Sequence, residues 1–188
     1  DWSSEVCSSD LGTTIQDVTA ALDAIAPQKY PLPRHDILIA NLATVQGRIT
    51  SLSDIPTRPV TEVKLLSPVA NPGKLIAAPV NYQKHLDEVK RDSQIHANNP
   101  AHTITIEKAG LFLKANSSLV GAGAGITIQK PDRRTDHEVE LAFVIGRKAK
   151  NVARADALGY IAGYCIGLDV SIRGSEDRSF RKSCDSYS

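Results

Sequence analysis

Apolar residues recur along this chain with two different periods, and the change between them falls near Pro59. From Thr14 the pattern reads as helical: Ile15, Val18, Leu22 and Ile25 follow one another at spacings of three and four, and Pro27 closes the run. A second apolar stripe, Leu38, Leu42, Val45 and Ile49, predicts a helix over Ile37 to Ile49. The two would form a hairpin or a remnant of a larger N-terminal part, and Ser51 to Pro59 reads as a linker. After Pro59 the apolar runs become short and are punctuated by Pro and Gly: Val63 to Leu66, Lys74 to Ala78, Gly110 to Leu113, Ile126 to Ile128, Val139 to Ile145 and Tyr160 to Leu168. Their length and their Ile, Val and Leu content predict strands. Helical turns fit His85 to Lys90 and Ala153 to Tyr160. The predicted class is therefore α+β, β-rich from about residue 60 to 188, with residues 12–59 as a small helical N-terminal segment and linker.

Two stretches fall outside this patterning. Asp1 to Leu11 is rich in small polar residues, has no amphipathic period and resembles translated adapter sequence; it reads as a non-native or disordered tail, and Trp2 as a residue without a structural role. The polar stretch from Lys90 to Ile106, with Asn98-Asn99-Pro100 inside it, reads as a mobile loop near a site.

Length and charge narrow the function classes. A chain of 188 residues is long enough for a substantial core. Its 22 basic and 21 acidic residues give no electrostatic case for a nucleic acid or an anionic membrane as partner. No apolar run approaches the roughly 20 residues of a membrane span. Cys7, Cys165 and Cys184 are odd in number and widely separated, unlike a disulfide framework or a zinc pattern, so a reducing cytoplasm is the expected compartment.

The candidate chemistry begins at Asp136-His137-Glu138-Val139-Glu140-Leu141. Side chains alternate faces along a strand, so Glu138 and Glu140 point the same way. Two like charges held together call for a cation or for solvent between them, and a hard divalent cation takes such oxygen ligands. An amphipathic strand with a wet face accounts for the same pattern. Asp169 ends the apolar run Tyr160 to Leu168, where a buried carboxylate needs a compensating partner; a turn or a helix cap would equally use an Asp there. His85 and Glu88 lie three residues apart, as neighbours on a helical turn. A carboxylate beside an imidazole suits a general base, although an ordinary charged surface helix has the same composition.

Taken in order, these landmarks resemble the fumarylacetoacetate hydrolase family. Asn81-Tyr82-Gln83-Lys84-His85-Leu86-Asp87-Glu88 follows a short apolar segment. Phe112-Leu113-Lys114 precedes small residues. Glu138-Val139-Glu140-Leu141 runs on to Gly146, Gly163-Tyr164 leads to Asp169 and Arg173, and Lys182-Ser183 comes last. The resemblance covers about Leu65 to Ser188. It implies a β-rich roll, often dimeric, with Glu138, Glu140 and Asp169 holding Mg²⁺ or Mn²⁺. It implies His85 and Glu88 as the water-activating dyad, Lys182 as a stabiliser of negative charge, and Tyr82, Lys114 and Arg173 as supporting or substrate contacts. It further implies hydrolysis of a carbon–carbon bond in an acylpyruvate or related oxo acid, with decarboxylation or isomerisation on the same metal site as the alternative. Finally, it implies more strands after Ser188, an incomplete roll, a homodimer when the protein is full length, and little activity from this chain alone. A non-catalytic binding module, or a structural β-domain with solvated carboxylates, remains as a reading from another class.

Overall fold

The computed structural model describes residues 12–79, 81–91 and 106–172. The strands pair two by two. β1 (Thr14–Gln16) pairs with β2 (Thr57–Pro59), β3 (Leu75–Ala77) with β4 (Phe112–Lys114), β5 (Thr135–Asp136) with β8 (Ser171–Ile172), and β6 (Val139–Ile145) with β7 (Ile161–Leu168). The helices are α1 (Ile37–Ala40), α2 (Leu42–Ile49), α3 (Gln83–Arg91) and α4 (Ile106–Ala109), with short 3₁₀ turns between elements. The mixture is α+β, as the change of period predicts. Two compact units are distinguished: Asp1–Gly73 with Leu119–Gly125 and Leu141–Cys165, and Lys74–Ser118 with Ile126–Glu140 and Ile166–Ser188.

In the first unit the core coincides with the expected stripe only at Val45; Leu38, Leu42 and Ile49 are half-buried and Leu22 is exposed. Val45 of α2, Ile39 of α1 and Ala21 of the 3₁₀ turn Thr19–Ala24 are buried. Asp36 opens α1. Its Oδ1 accepts from the Ile39 N–H at 3.0 Å, and its Oδ2 accepts from the Asn71 N–H at 2.9 Å. One buried carboxylate thus satisfies a helix-start donor and ties down a segment 35 positions away. The single helix expected over Ile37 to Ile49 is divided at Asn41, whose side-chain Nδ2 donates to the Ile37 carbonyl at 2.9 Å.

The segment from Ile15 to Ile25 differs from expectation. Thr14–Gln16 is a strand, paired antiparallel with Ile15 opposite Arg58, and only Thr19–Ala24 turns as a 3₁₀ helix. Ladder bonds to a distant segment outweigh the weak local preference that the apolar spacing suggested. Val63 to Leu66 and Ile126 to Ile128 are not strands either. Leu65 instead receives the Gly123 N–H at its carbonyl, 3.0 Å away. Gly121 sits against the Leu66–Ser67 backbone so closely that a Cβ there would lie 2.2 Å from the Leu66 carbonyl carbon.

In the second unit β3 and β4 pair antiparallel, with Leu75 opposite Lys114 and Ala77 opposite Phe112. β5 and β8 pair with Thr135 opposite Ile172 and Asp136 opposite Ser171. The Asp169 N–H donates to the Glu138 carbonyl at 2.8 Å, which carries that register on toward β6. The Asp1–Leu11 tail and the Asn98-Asn99-Pro100 loop lie outside the described residues.

Candidate functional site

Lys114 ends β4, Glu138 stands just before β6, Glu140 is its second residue, and Asp169 follows β7 directly. The backbone bond between Asp169 and Glu138 sets these two residues side by side. The Lys114 ammonium donates to Asp169 Oδ1 in a salt bridge whose side chains are each 17% exposed. This pairing joins strands 55 positions apart in sequence.

The burial along β6 bears on the two readings of the Glu pair. Glu138 and Glu140 lie on the half-buried face together with Ala142 and Val144. The other face carries Val139 and Leu141, 61% and 64% exposed. An ordinary amphipathic strand turns its charges outward. Here the carboxylates occupy the more sheltered side, at a cost in desolvation that calls for compensating positive charge. That arrangement disfavours a merely solvated face.

The carboxylates are not, however, gathered into a coordination shell. Among the described residues no three His, Cys, Asp or Glu side chains stand close enough to hold an ion. A three-carboxylate metal site would need Glu138, Glu140 and Asp169 closer together than this. Asp169 is neutralised by Lys114 instead. The donor set itself suits a hard divalent cation: three carboxylates, oxygen ligands only, two of them fixed by adjacent backbone.

His85 and Glu88 both lie on α3, three positions apart and in the same unit as the carboxylates. Glu88 is exposed, as is Tyr82, which precedes the helix and whose carbonyl accepts the Leu86 N–H at 3.0 Å. Gln83 donates from Nε2 to Asp87 Oδ1 at 3.1 Å across one turn of α3. Beside the Glu pair, Arg134 Nε donates to Asp136 Oδ1 at 2.7 Å. Arg173 and Lys182 lie outside the described residues. The partnership of Lys114 with Asp169 was missed in the sequence; the only signal there was that a sheltered strand-end carboxylate needs a cation.

Comparison with known proteins then places the chain. Residues 74–186, more than half of its length, match the family model described as fumarylacetoacetate hydrolase, C-terminal. The chain belongs to the fumarylacetoacetate hydrolase family. It is 55% identical over 177 residues to the maleylpyruvate hydrolase of Aquipseudomonas alcaligenes, a match covering 94% of this chain and 62% of that protein. It is 34% identical over 121 residues to a mitochondrial oxaloacetate tautomerase of Homo sapiens, covering 64% of this chain and 35% of that protein. A crystal structure of maleylpyruvate hydrolase from Sphingobium sp. SYK-6, in complex with manganese(II) ion and pyruvate, superposes with a TM-score of 0.64. That match is at 33% identity and covers 92% of this chain and 56% of that one. The fold is thus of the fumarylacetoacetate hydrolase type, and the chain spans about three fifths of the length of the two maleylpyruvate hydrolases. Among the described residues no helix is long and apolar enough to cross a membrane.

Proposed function

We propose that this chain is the metal-site portion of a hydrolase that cleaves a carbon–carbon bond in an acylpyruvate, with maleylpyruvate as the first substrate to test. The observation that carries the reading is the sheltered carboxylate face: Glu138 and Glu140 on the less exposed side of β6, with Asp169 bonded to the Glu138 backbone. Support comes from the 55% identity to a maleylpyruvate hydrolase and from the manganese(II) and pyruvate in the related crystal structure. Glu138, Glu140 and Asp169 would hold Mg²⁺ or Mn²⁺. A bound divalent cation would supply Lewis-acid stabilisation of negative charge developing on substrate oxygens.

His85, oriented by Glu88, takes a proton from a water, which adds to the ketone carbon distal to the pyruvate group. The carbon–carbon bond then breaks. One product is a carboxylic acid and the other a pyruvate enolate, which takes up a proton to become pyruvate. Lys182 stabilises the enolate by fixed charge, while Tyr82 and Arg173 contact the substrate. The full protein would act as a cytoplasmic homodimer. A second reading, keto–enol isomerisation of an oxo acid on the same carboxylates, has its support in the identity to the oxaloacetate tautomerase. The lower identity and shorter match of that relative rank it below hydrolysis.

The test uses the full protein with maleylpyruvate and with oxaloacetate. Glu140→Gln should lose Mn²⁺ affinity and cleavage together, because a neutral amide is a poorer ligand for a hard cation. His85→Ala should keep Mn²⁺ affinity and lower turnover by about a hundredfold or more. Wild-type turnover in the His85 variant at saturating Mn²⁺ would remove the dyad from the mechanism. Tautomerisation of oxaloacetate without maleylpyruvate cleavage would select the second reading.

A further inference from the structure

We infer that Lys114 is a positioning residue for the metal site, holding Asp169 through Oδ1 and remaining there when a divalent cation binds. The inference rests on the reading of Glu138, Glu140 and Asp169 as metal ligands. Three observations carry it. The Lys114 ammonium is on one oxygen of Asp169, and a carboxylate has two oxygens with several acceptor positions, so a single donor does not exhaust it. Lys114 is fixed by the β3–β4 ladder, opposite Leu75, so it projects from a paired strand. Both side chains of the pair are sheltered to the same degree, which strengthens their attraction relative to a surface pair.

Charge balance points the same way. Three carboxylates around a divalent cation leave one net negative charge in a sheltered place, and the Lys114 ammonium cancels it. A ligating carboxylate is ordinarily oriented by a hydrogen bond to its second oxygen, and loss of that partner weakens metal binding. Lys114 supplies this for Asp169, although the resemblance to the family marked it only as a supporting or substrate contact.

The experiment titrates Mn²⁺ into the full chain by calorimetry, with the electron paramagnetic resonance of bound Mn²⁺ as a second readout. The wild type is compared with Lys114→Met, Lys114→Gln, Lys114→Arg and Asp169→Asn, and circular dichroism checks that each is folded. Lys114→Met should weaken Mn²⁺ affinity about 10- to 100-fold. Lys114→Gln keeps a donor without the charge and guards against a folding defect in the Met variant; it should lose affinity to a similar degree. Lys114→Arg should recover part of the loss, and the Met and Gln variants should change the shape of the Mn²⁺ resonance. Unchanged affinity in the folded Met and Gln variants overturns the positioning role and leaves the ligand assignment standing. Tighter binding in them also overturns it, since the ammonium would then be a competitor that the cation must displace. Absence of saturable Mn²⁺ binding in the wild type, or full binding by Asp169→Asn, overturns the ligand assignment and this inference with it.

Discussion

The two units divide stability and chemistry unequally. Among the described residues, all three buried apolar side chains, Ala21, Ile39 and Val45, belong to the first unit, as does the buried Asp36. The second unit holds Lys114, Glu138, Glu140 and Asp169 and has no fully buried apolar residue among those described. Its strands expose Ile76, Leu113, Ile166 and Leu168. The difference follows from how each element type satisfies itself. A helix completes its backbone bonds within one segment and needs only one covered stripe. A two-stranded ladder buries little and is marginal alone. Chemistry sits where packing is thinnest, and charged side chains there must be balanced locally.

If the first unit carries the packing, substitutions at its closest contacts should be the most costly in the molecule. The largest effect is expected at Gly121. A Cβ there would meet backbone atoms of Leu66 and Ser67 at 2.2 to 2.5 Å, with no flexible side chain to give way. Gly121→Ala should destabilise by about 3 kcal/mol or more, or prevent folding. Gly163, in the same unit but with nothing within 4 Å of its Cβ position, is the control for local crowding: Gly163→Ala should stay within about 1 kcal/mol of wild type. Chemical denaturation followed by circular dichroism distinguishes the two. Equal stabilities would mean that the Leu66–Ser67 segment yields freely.

Next in size is Asp36. Its replacement by Ala orphans the Ile39 and Asn71 amides at once. The expected loss is about 2–3 kcal/mol, combining a helix cap with a second buried bond. Asp36→Asn keeps one oxygen and should lose roughly half as much. A loss under about 1 kcal/mol in Asp36→Ala would show that the first unit does not depend on this tie.

The same contrast explains what could be read in the sequence. Leu38, Leu42, Val45 and Ile49 mark their helical region because their spacing is a local property of the chain. The break at Asn41 was invisible, since it depends on one side chain turning back to the Ile37 carbonyl. Ile15 carries helical spacing and yet lies in a strand, because its partner Arg58 is distant in sequence. At the site, strand alternation put Glu138 and Glu140 on one face, and it could not say which face would be sheltered. The Lys114–Asp169 pair is a contact between distant strands and has no local signature at all.

The smallest expected effect lies in the second unit and has the opposite sign. Thr135 sits on β5 opposite Ile172, and among the described residues its buried Oγ1 has no hydrogen-bond partner. A buried unpaired hydroxyl costs stability, whereas an apolar group of similar shape at the same place does not. Valine keeps the β-branched shape that suits a strand. Thr135→Val should therefore raise stability by up to about 1 kcal/mol, seen as a rise of a few degrees in Tm, with Mn²⁺ affinity unchanged because the hydroxyl is not among the candidate ligands. A fall in stability would mean that the hydroxyl bonds an ordered water, which valine cannot do. The second unit would then hold a satisfied polar interior, and its contrast with the first would narrow.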